Sequence, residues 1–149
     1  MKSGSMDELV VKLEEFHKTF GIRIGSDMMT ASVNRNDIYF GLLIEEVMEF
    51  RDAYLCSDNV KILDAFADIM FVLVSAIVEN GAQEIISDVF AEVCRSNMTK
   101  LPPAGIPMYR SDGKIMKGDW YSPPDIKSIY LQYQEKVNSR MMKSQISES

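Results

Sequence analysis

Two segments of the chain place acidic residues inside sequence that otherwise has the composition of buried helix. The segments span residues 43–50 and 64–71, and their acids are Glu45, Glu46, Glu49, Asp64 and Asp68. An ionised carboxylate in an apolar interior costs several kcal/mol unless something compensates its charge. Arg51 and Lys61 are the only cations close by in sequence. The pattern therefore constrains the chain to two helices whose acidic faces meet, with a divalent cation as the natural compensator.

Helical geometry brings these acids together on each segment. At about 100° per residue, Glu45 and Glu49 lie roughly 40° apart and Glu46 about 100° from Glu45, so the three share one flank. Asp64 and Asp68 are four residues apart and share a face. Residues 69–78 contain only one polar side chain, a serine. This predicts a helix at the centre of a bundle, with Asp64 and Asp68 facing the interior.

The alternative interpretation is a solvated acidic face, which is the commonest fate of acids on helices. A purely structural bundle would need Glu45, Glu46 and Glu49 to be exposed. The metal-site interpretation instead predicts ligation by oxygen alone, since neither histidine nor cysteine accompanies the acids. Oxygen ligands suit Mg²⁺, with Mn²⁺ as the other candidate, and Mg²⁺ usually binds few carboxylates together with substrate phosphates.

The rest of the chain predicts an all-α fold. Apolar periodicity and helix-stop signals place helices at about 6–20, 37–55, 60–80, 83–100 and 124–138, with an asparagine cap at Asn34 or Asn36 before the second. The short 56–59 turn makes the second and third helices antiparallel. Residues 101–125 are rich in Pro and Gly, and Asp112-Gly113 indicates a hairpin-like loop. The expectation is an antiparallel bundle of four main helices plus a C-terminal helix, and we expect it to form an oligomer.

Length and charge limit the classes of protein to consider. The 149 residues predict a single domain over residues 6–140, with residues 1–5 an expression scar and 141–149 a frayed tail. A net charge of −6 disfavours nucleic acid and anionic membranes as partners. No secretory signal and no apolar run of about 20 residues is visible, which predicts a cytoplasmic protein. Cys56 and Cys94 are expected to be free, buried thiols.

Several further residues have both functional and structural interpretations. Asn97 and Lys100 end the fourth helix, where they would either bind phosphate or form a solvated helix end favoured by the dipole. The basic loop residues Arg110, Lys114 and Lys117 could reach the same anion or simply be solvated. His17, the sole histidine, is expected to be a partly exposed helix residue because no catalytic triad can be assembled around it.

Taken together, these motifs resemble the all-α nucleoside triphosphate pyrophosphatases, in particular the MazG-like branch often described as phosphoribosyl-ATP pyrophosphohydrolase-like. The resemblance covers about residues 16–125 and depends on residues 16–21, the two acidic segments and, in the same order, residues 93–100, 112–118 and 124–125. It implies a homodimer or homotetramer that binds a nucleoside triphosphate.

The resemblance also implies individual roles. Glu46, Glu49 and Asp68 match the metal ligands, and Glu45 matches the residue that orients or deprotonates the attacking water. The usual second motif is Glu-x-x-Asp, which would put a glutamate where this chain has Ala65. Because Asp64 shares a face with Asp68, we expect it to supply the fourth ligand.

The implied activity is Mg²⁺-dependent hydrolysis of the α–β phosphate bond of a nucleoside triphosphate or deoxynucleoside triphosphate, giving a monophosphate and pyrophosphate. The implied role is house-cleaning or dUTPase-like. The alternatives are phosphoribosyl-ATP hydrolysis and a non-catalytic nucleotide or metal sensor, which the departure at Ala65 would permit. Asn97 and Lys100, with Arg110 and Lys114, are the expected substrate-binding residues.

Overall fold

A computed structural model describes residues 5–28 and 32–147, with side chains to residue 145. It contains five helices: α1 (Met6–Phe20), α2 (Val33–Leu55), α3 (Asn59–Glu79), α4 (Ile86–Met98) and α5 (Ile126–Ser147). The described ranges form no β-strand, only an isolated antiparallel bridge between Tyr109 and Ile115. The all-α prediction is therefore confirmed. The chain divides into two compact units, one up to Glu84 and one from Ile85 onward. The single domain remains a prediction.

In the first unit, α3 packs against both α1 and α2. Besides Leu13, its core contains small and β-branched side chains that allow the helices close approach, namely Val10, Ala53, Ala65, Val72, Val74 and Val78. The Phe50 and Phe66 rings lie 4.9 Å apart across α2 and α3. The turn between these helices is closed by the Asp58 amide donating to the Ala53 carbonyl, at 3.0 Å. The Asp58 side chain then caps α3.

A buried polar cluster joins the start of α2 to the end of α3. Glu79 is only 1% exposed, and both of its carboxylate oxygens accept hydrogen bonds from Arg35 at 2.7 Å. The Tyr39 hydroxyl donates to the same carboxylate at 2.6 Å. These bonds hold the pKa of Glu79 below its usual value, chiefly through Arg35. Burial, and then the bond to Glu79, raise the pKa of Tyr39 to about 12.

The segment after α1 lies against the end of α3. Gly21 ends α1 in the left-handed conformation that favours glycine, as predicted. His17 is 0% exposed, and its Nδ1 lies 2.9 Å from the Arg23 carbonyl. The prediction of a partly exposed histidine is therefore wrong, because the chain after α1 turns back and brings the Arg23 carbonyl to the ring. A Cβ on Gly25 would lie 2.5 Å from the Glu79 carbonyl oxygen, so only glycine fits there.

Some helix boundaries differ from the predictions. α2 begins at Val33 with Ser32 as its N-cap residue, and no side chain caps it. The predicted asparagine cap is wrong, because the Asn36 side chain instead accepts a hydrogen bond from Asn80. α5 continues to Ser147, beyond the predicted end at residue 138. Residues 1–4 of the predicted scar and residues 148–149 of the predicted tail lie outside the described residues.

Apolar side chains remain exposed along α2 and α3. On α2 they follow helical spacing, as Phe40, Ile44, Val47 and Met48, and on α3 as Leu63, Phe66, Met70 and Leu73. The expectation that α3 is covered on nearly all sides is thus wrong for the chain by itself. No helix in the described part of the chain is both long enough and apolar enough to cross a membrane.

In the second unit, α4 packs against α5, with Tyr133 and Val137 buried. The connecting loop turns at Gly113, whose φ is 84°. The Arg110 amide donates to the Lys114 carbonyl at 2.8 Å. Cys56 of the first unit and Cys94 of the second are both free, as predicted, but exposed rather than buried. Cys56 is the C-cap residue of α2 and lies next to the turn rather than in the core.

Candidate functional site

The five predicted acids of α2 and α3 form one electrostatic cluster centred on Glu46. Burial raises the pKa of Glu46, and the negative charges of Asp68, Glu49, Glu45 and Asp64 raise it further. None of the five forms an ion pair with another described residue. The antiparallel packing of α2 on α3 therefore concentrates negative charge on one face without an internal cation to balance it.

The burial of these acids differs from the prediction. Glu46 and Asp68 are half-buried, whereas Glu45, Glu49 and Asp64 are exposed. The expectation that Asp64 faces the interior is wrong, because its side chain is exposed at an open cavity between α3 and the end of α2 rather than buried in the core. Exposure alone would also fit a structural bundle with a solvated face. The concentration of charge around Glu46 is the feature that such a bundle does not require.

The chemistry of the donor set fits a hard divalent cation. Every candidate ligand is a carboxylate, and Mg²⁺ and Mn²⁺ prefer oxygen ligands. Within the described ranges, no three Asp, Glu, His or Cys side chains converge in ligand geometry around one point. Mutual repulsion separates carboxylates that no cation holds together. Glu46, Glu49, Asp64 and Asp68 are the residues that could hold the metal.

The absence of a glutamate at position 65 agrees with the packing around Ala65. Ala65 is 2% exposed, in the core of the first unit. Asp64 instead faces a cavity that Glu49 also lines. A carboxylate of α3 therefore reaches the acidic face from position 64, while position 65 holds a small side chain that suits close packing. Whether Asp64 acts as a ligand remains a prediction.

The predicted substrate-binding residues all belong to the second unit. Asn97 and Lys100 are paired, because the Lys100 ammonium donates to the Asn97 side-chain oxygen at 2.5 Å. Arg110 forms an ion pair with Asp112, and its Nε lies 2.9 Å from that carboxylate. The Lys114 amide donates to the same Asp112 side chain. The structure thus brings Arg110 and Lys114 to one turn, whereas their role with substrate stays a prediction.

The sequence did not predict that Lys117 and Tyr121 lie together. The Lys117 ammonium lies 4.4 Å from the Tyr121 ring centroid. The pKa of Tyr121 is lowered first by its hydrogen bond with Ser96, and then by Lys117 and Lys100. Ser96 itself is buried and also donates to the Ser122 carbonyl. No periodicity marks a loop residue such as Tyr121, and the aromatic pair Trp120-Tyr121 was the one local signal besides the nearby lysines.

The second unit also contains an ordered junction between α4 and the segment before α5. Arg95 and Glu92 form an ion pair at 2.7 Å, and the Glu92 carboxylate also accepts from the Asp125 amide at 2.8 Å. These bonds lower the pKa of Glu92 to about 2, with Arg95 the larger cause. This junction gives residues 124–125 a structural role. From the sequence, only the family resemblance had singled these two residues out.

Comparison with known proteins agrees with the acidic helices. A family model described as phosphoribosyl-ATP pyrophosphohydrolase matches residues 13–97, more than half of the chain. That range contains all five acids and ends at Asn97. A search of curated proteins finds no match. The family consists of pyrophosphohydrolases acting on phosphoanhydride bonds. The chain belongs to the phosphoribosyl-ATP pyrophosphohydrolase family, within the MazG-like all-α nucleoside triphosphate pyrophosphatases.

Proposed function

We propose that this protein is a Mg²⁺-dependent pyrophosphohydrolase that cleaves the α–β phosphate bond of a nucleoside triphosphate or deoxynucleoside triphosphate. The products are a nucleoside monophosphate and pyrophosphate. The observation that carries the proposal is the packing of α2 on α3, which brings five carboxylates close enough for four of them to act on the fifth, Glu46. Family membership supports the pyrophosphohydrolase class, and the oxygen-only donor set favours Mg²⁺ over softer metals.

The acids would divide the work between metal binding and proton transfer. Glu46, Glu49, Asp64 and Asp68 would hold the metal, which supplies charge neutralisation at the phosphate oxygens. Glu45 is exposed at one end of the cluster and would take a proton from the attacking water. The water oxygen bonds to the α-phosphorus, the bond from that phosphorus to the bridging oxygen breaks, and the electron pair leaves with pyrophosphate.

In the second unit, Asn97 and Lys100 are proposed to contact the phosphate tail of the substrate. Their existing hydrogen bond places an amide and an ammonium next to each other at the end of α4. Arg110 and Lys114 are proposed as further anion ligands. Arg110 would have to exchange its ion pair with Asp112 for the substrate, so its contribution to binding should be the smaller one.

Two further candidate functions have specific support. The family description favours phosphoribosyl-ATP as substrate, which would undergo cleavage of the same kind of bond. The absence of a glutamate at Ala65 favours a sensor that binds metal and nucleotide without turnover.

The exposed apolar side chains along α2 support a homodimer or homotetramer, because an uncovered apolar stripe of this kind usually marks an interface.

Release of pyrophosphate from a substrate panel tests the proposal. Canonical, deoxy and damaged nucleoside triphosphates and phosphoribosyl-ATP would each be incubated with Mg²⁺, Mn²⁺ or EDTA. We expect metal-dependent release with at least one substrate. Glu49→Gln and Glu45→Gln should abolish or greatly slow it, whereas the control Glu15→Gln, an exposed acid of α1, should not. Binding without release would favour the sensor.

A further inference from the structure

A cavity lies at the end of the acidic face nearest the α2–α3 turn. It has a volume of about 330 Å³ and is lined by Glu49, Asp52, Ala53, Cys56, Lys61 and Asp64. A cavity of that size has room for on the order of ten water molecules. Two of its walls, Glu49 and Asp64, are proposed metal ligands. The cavity therefore continues the candidate site in the direction away from Glu45.

Among the six lining residues, Lys61 alone is cationic. Its ammonium forms no ion pair with the described acids, although Asp64 is three residues away on the same helix. The Lys61 backbone amide donates to the Asp58 side chain at 3.2 Å, which fixes the first turn of α3. The helix start is thus held in place while the charged end of the side chain stays free to bind a ligand.

The order of residues along α2 gives the site two ends, one at Glu45 and the other at the α2–α3 turn. On α2, Glu45 comes first, Glu49 one turn later, and Asp52 and Cys56 follow toward the turn. Asp52 lies about 10 Å beyond Glu45 along the helix axis. In-line phosphoryl transfer places the attacking and leaving oxygens on opposite sides of the phosphorus. If water is activated at Glu45, the leaving group departs toward the cavity.

We propose that this cavity binds the leaving pyrophosphate and that Lys61 contacts its phosphate oxygens as a positioning residue. This inference rests on the proposed function for the direction of attack. A phosphate chain would be repelled by Asp52, Glu49 and Asp64 alone, so it needs both the metal and a cation on the far wall. Lys61 supplies that cation as a mobile point charge.

Calorimetric titration with magnesium pyrophosphate tests the inference directly. Lys61→Ala should raise the dissociation constant roughly 10- to 100-fold, as expected for loss of a charged hydrogen bond. Lys61→Arg should retain most of the affinity. Lys12→Ala, which removes an exposed lysine of α1, should leave it unchanged. Binding of Mg²⁺ alone should be the same in all four proteins.

Cys56 provides a second readout that does not require turnover. In a Cys94→Ser protein, magnesium pyrophosphate should slow alkylation of Cys56 several-fold, and Lys61→Ala should remove that protection. Unchanged pyrophosphate affinity in Lys61→Ala, or no protection of Cys56, would overturn the inference. These measurements need no substrate, so a protein that binds pyrophosphate here but releases none from any triphosphate would count against the proposed function alone.

Discussion

Glu46 is the residue on which the charges of the acidic face converge. Its pKa is raised by burial and by four neighbouring carboxylates, and none of the five acids forms an ion pair with a described cation. The metal-free protein should therefore be destabilised by its own site, because like charges held close together oppose folding. Neutralising a single member of the cluster should relieve this repulsion, even though it also removes a ligand.

Replacing Glu46 with glutamine is thus expected to have opposite effects with and without metal. The melting temperature of metal-free Glu46→Gln should rise by a few degrees above that of the wild type. Millimolar Mg²⁺ should raise the melting temperature of the wild type but not of the variant. Thermal scans with EDTA and with Mg²⁺ measure both effects, with Glu15→Gln as control. A wild type insensitive to every divalent cation would remove support for the metal site.

Glu79 illustrates the opposite case, a buried carboxylate whose charge is balanced. Its pKa is lowered by Arg35, so the ionised form is favoured in the folded protein. The stabilisation is present above the unfolded pKa of about 4.3 and is lost as the pH falls through the folded value. Glu79→Gln should cost about 1–3 kcal/mol near neutral pH, because it removes the charge from the hydrogen bonds of a buried carboxylate while Arg35, whose side chain is 40% exposed, keeps access to water.

Chemical denaturation from pH 7 down to pH 3 would check this expectation. The free energy of unfolding of the wild type should decrease below about pH 4.3, and the difference between wild type and Glu79→Gln should narrow in the same range. Glu14→Gln, on α1, serves as the control. A difference that does not change with pH would show that the cluster stabilises the fold by packing rather than by charge.

At the scale of elements, two glycines of the first unit differ in the space available for a side chain. Gly25 passes against the end of α3, where a Cβ would lie 2.5 Å from the Glu79 carbonyl oxygen and 2.5 Å from the Gly81 amide. Gly41 lies within α2, where a Cβ would have no atom within 4 Å. The same substitution should therefore destabilise the protein at one position and stabilise it at the other.

Gly25→Ala should lower the free energy of unfolding by about 1–3 kcal/mol, because backbone atoms would have to shift. Gly41→Ala should raise it by about 0.5–1 kcal/mol, since alanine is the better helix former. Urea denaturation of the two variants and the wild type gives both values. Equal effects at the two positions would contradict the close approach at Gly25.

The sequence predicted those elements whose signals are local. The bounds of α1 agree because apolar spacing and Gly21 define both its course and its end. The spacing of the five acids and the short turn after α2 explain why their charges act together on Glu46. The burial of His17 was missed, since its partner is a backbone carbonyl in an aperiodic segment. The exposure of Asp64 and of the apolar side chains along α2 was not predicted, because periodicity identifies an apolar face but not what covers it.

At the scale of the whole molecule, the exposed apolar side chains along α2 predict self-association. Ile44 is 65% exposed in the middle of α2, and a charge there would be incompatible with burial between subunits. Ile44→Asp should convert the oligomer to monomer, whereas Asn34→Asp, an exposed polar position of the same helix, should not. Light scattering after size exclusion measures the mass. A wild-type mass near the 16.9 kDa of one chain would refute the prediction.

The bond that is cleaved tests the central claim most directly. Phosphorus NMR of the accepted substrate, incubated with the wild-type protein and Mg²⁺, distinguishes the possible products without coupling enzymes. We predict that pyrophosphate and the monophosphate appear together in equal amounts, and that neither appears with EDTA or with Glu49→Gln. Orthophosphate with a diphosphate, or equal turnover in the presence of EDTA, would contradict a metal-dependent pyrophosphohydrolase.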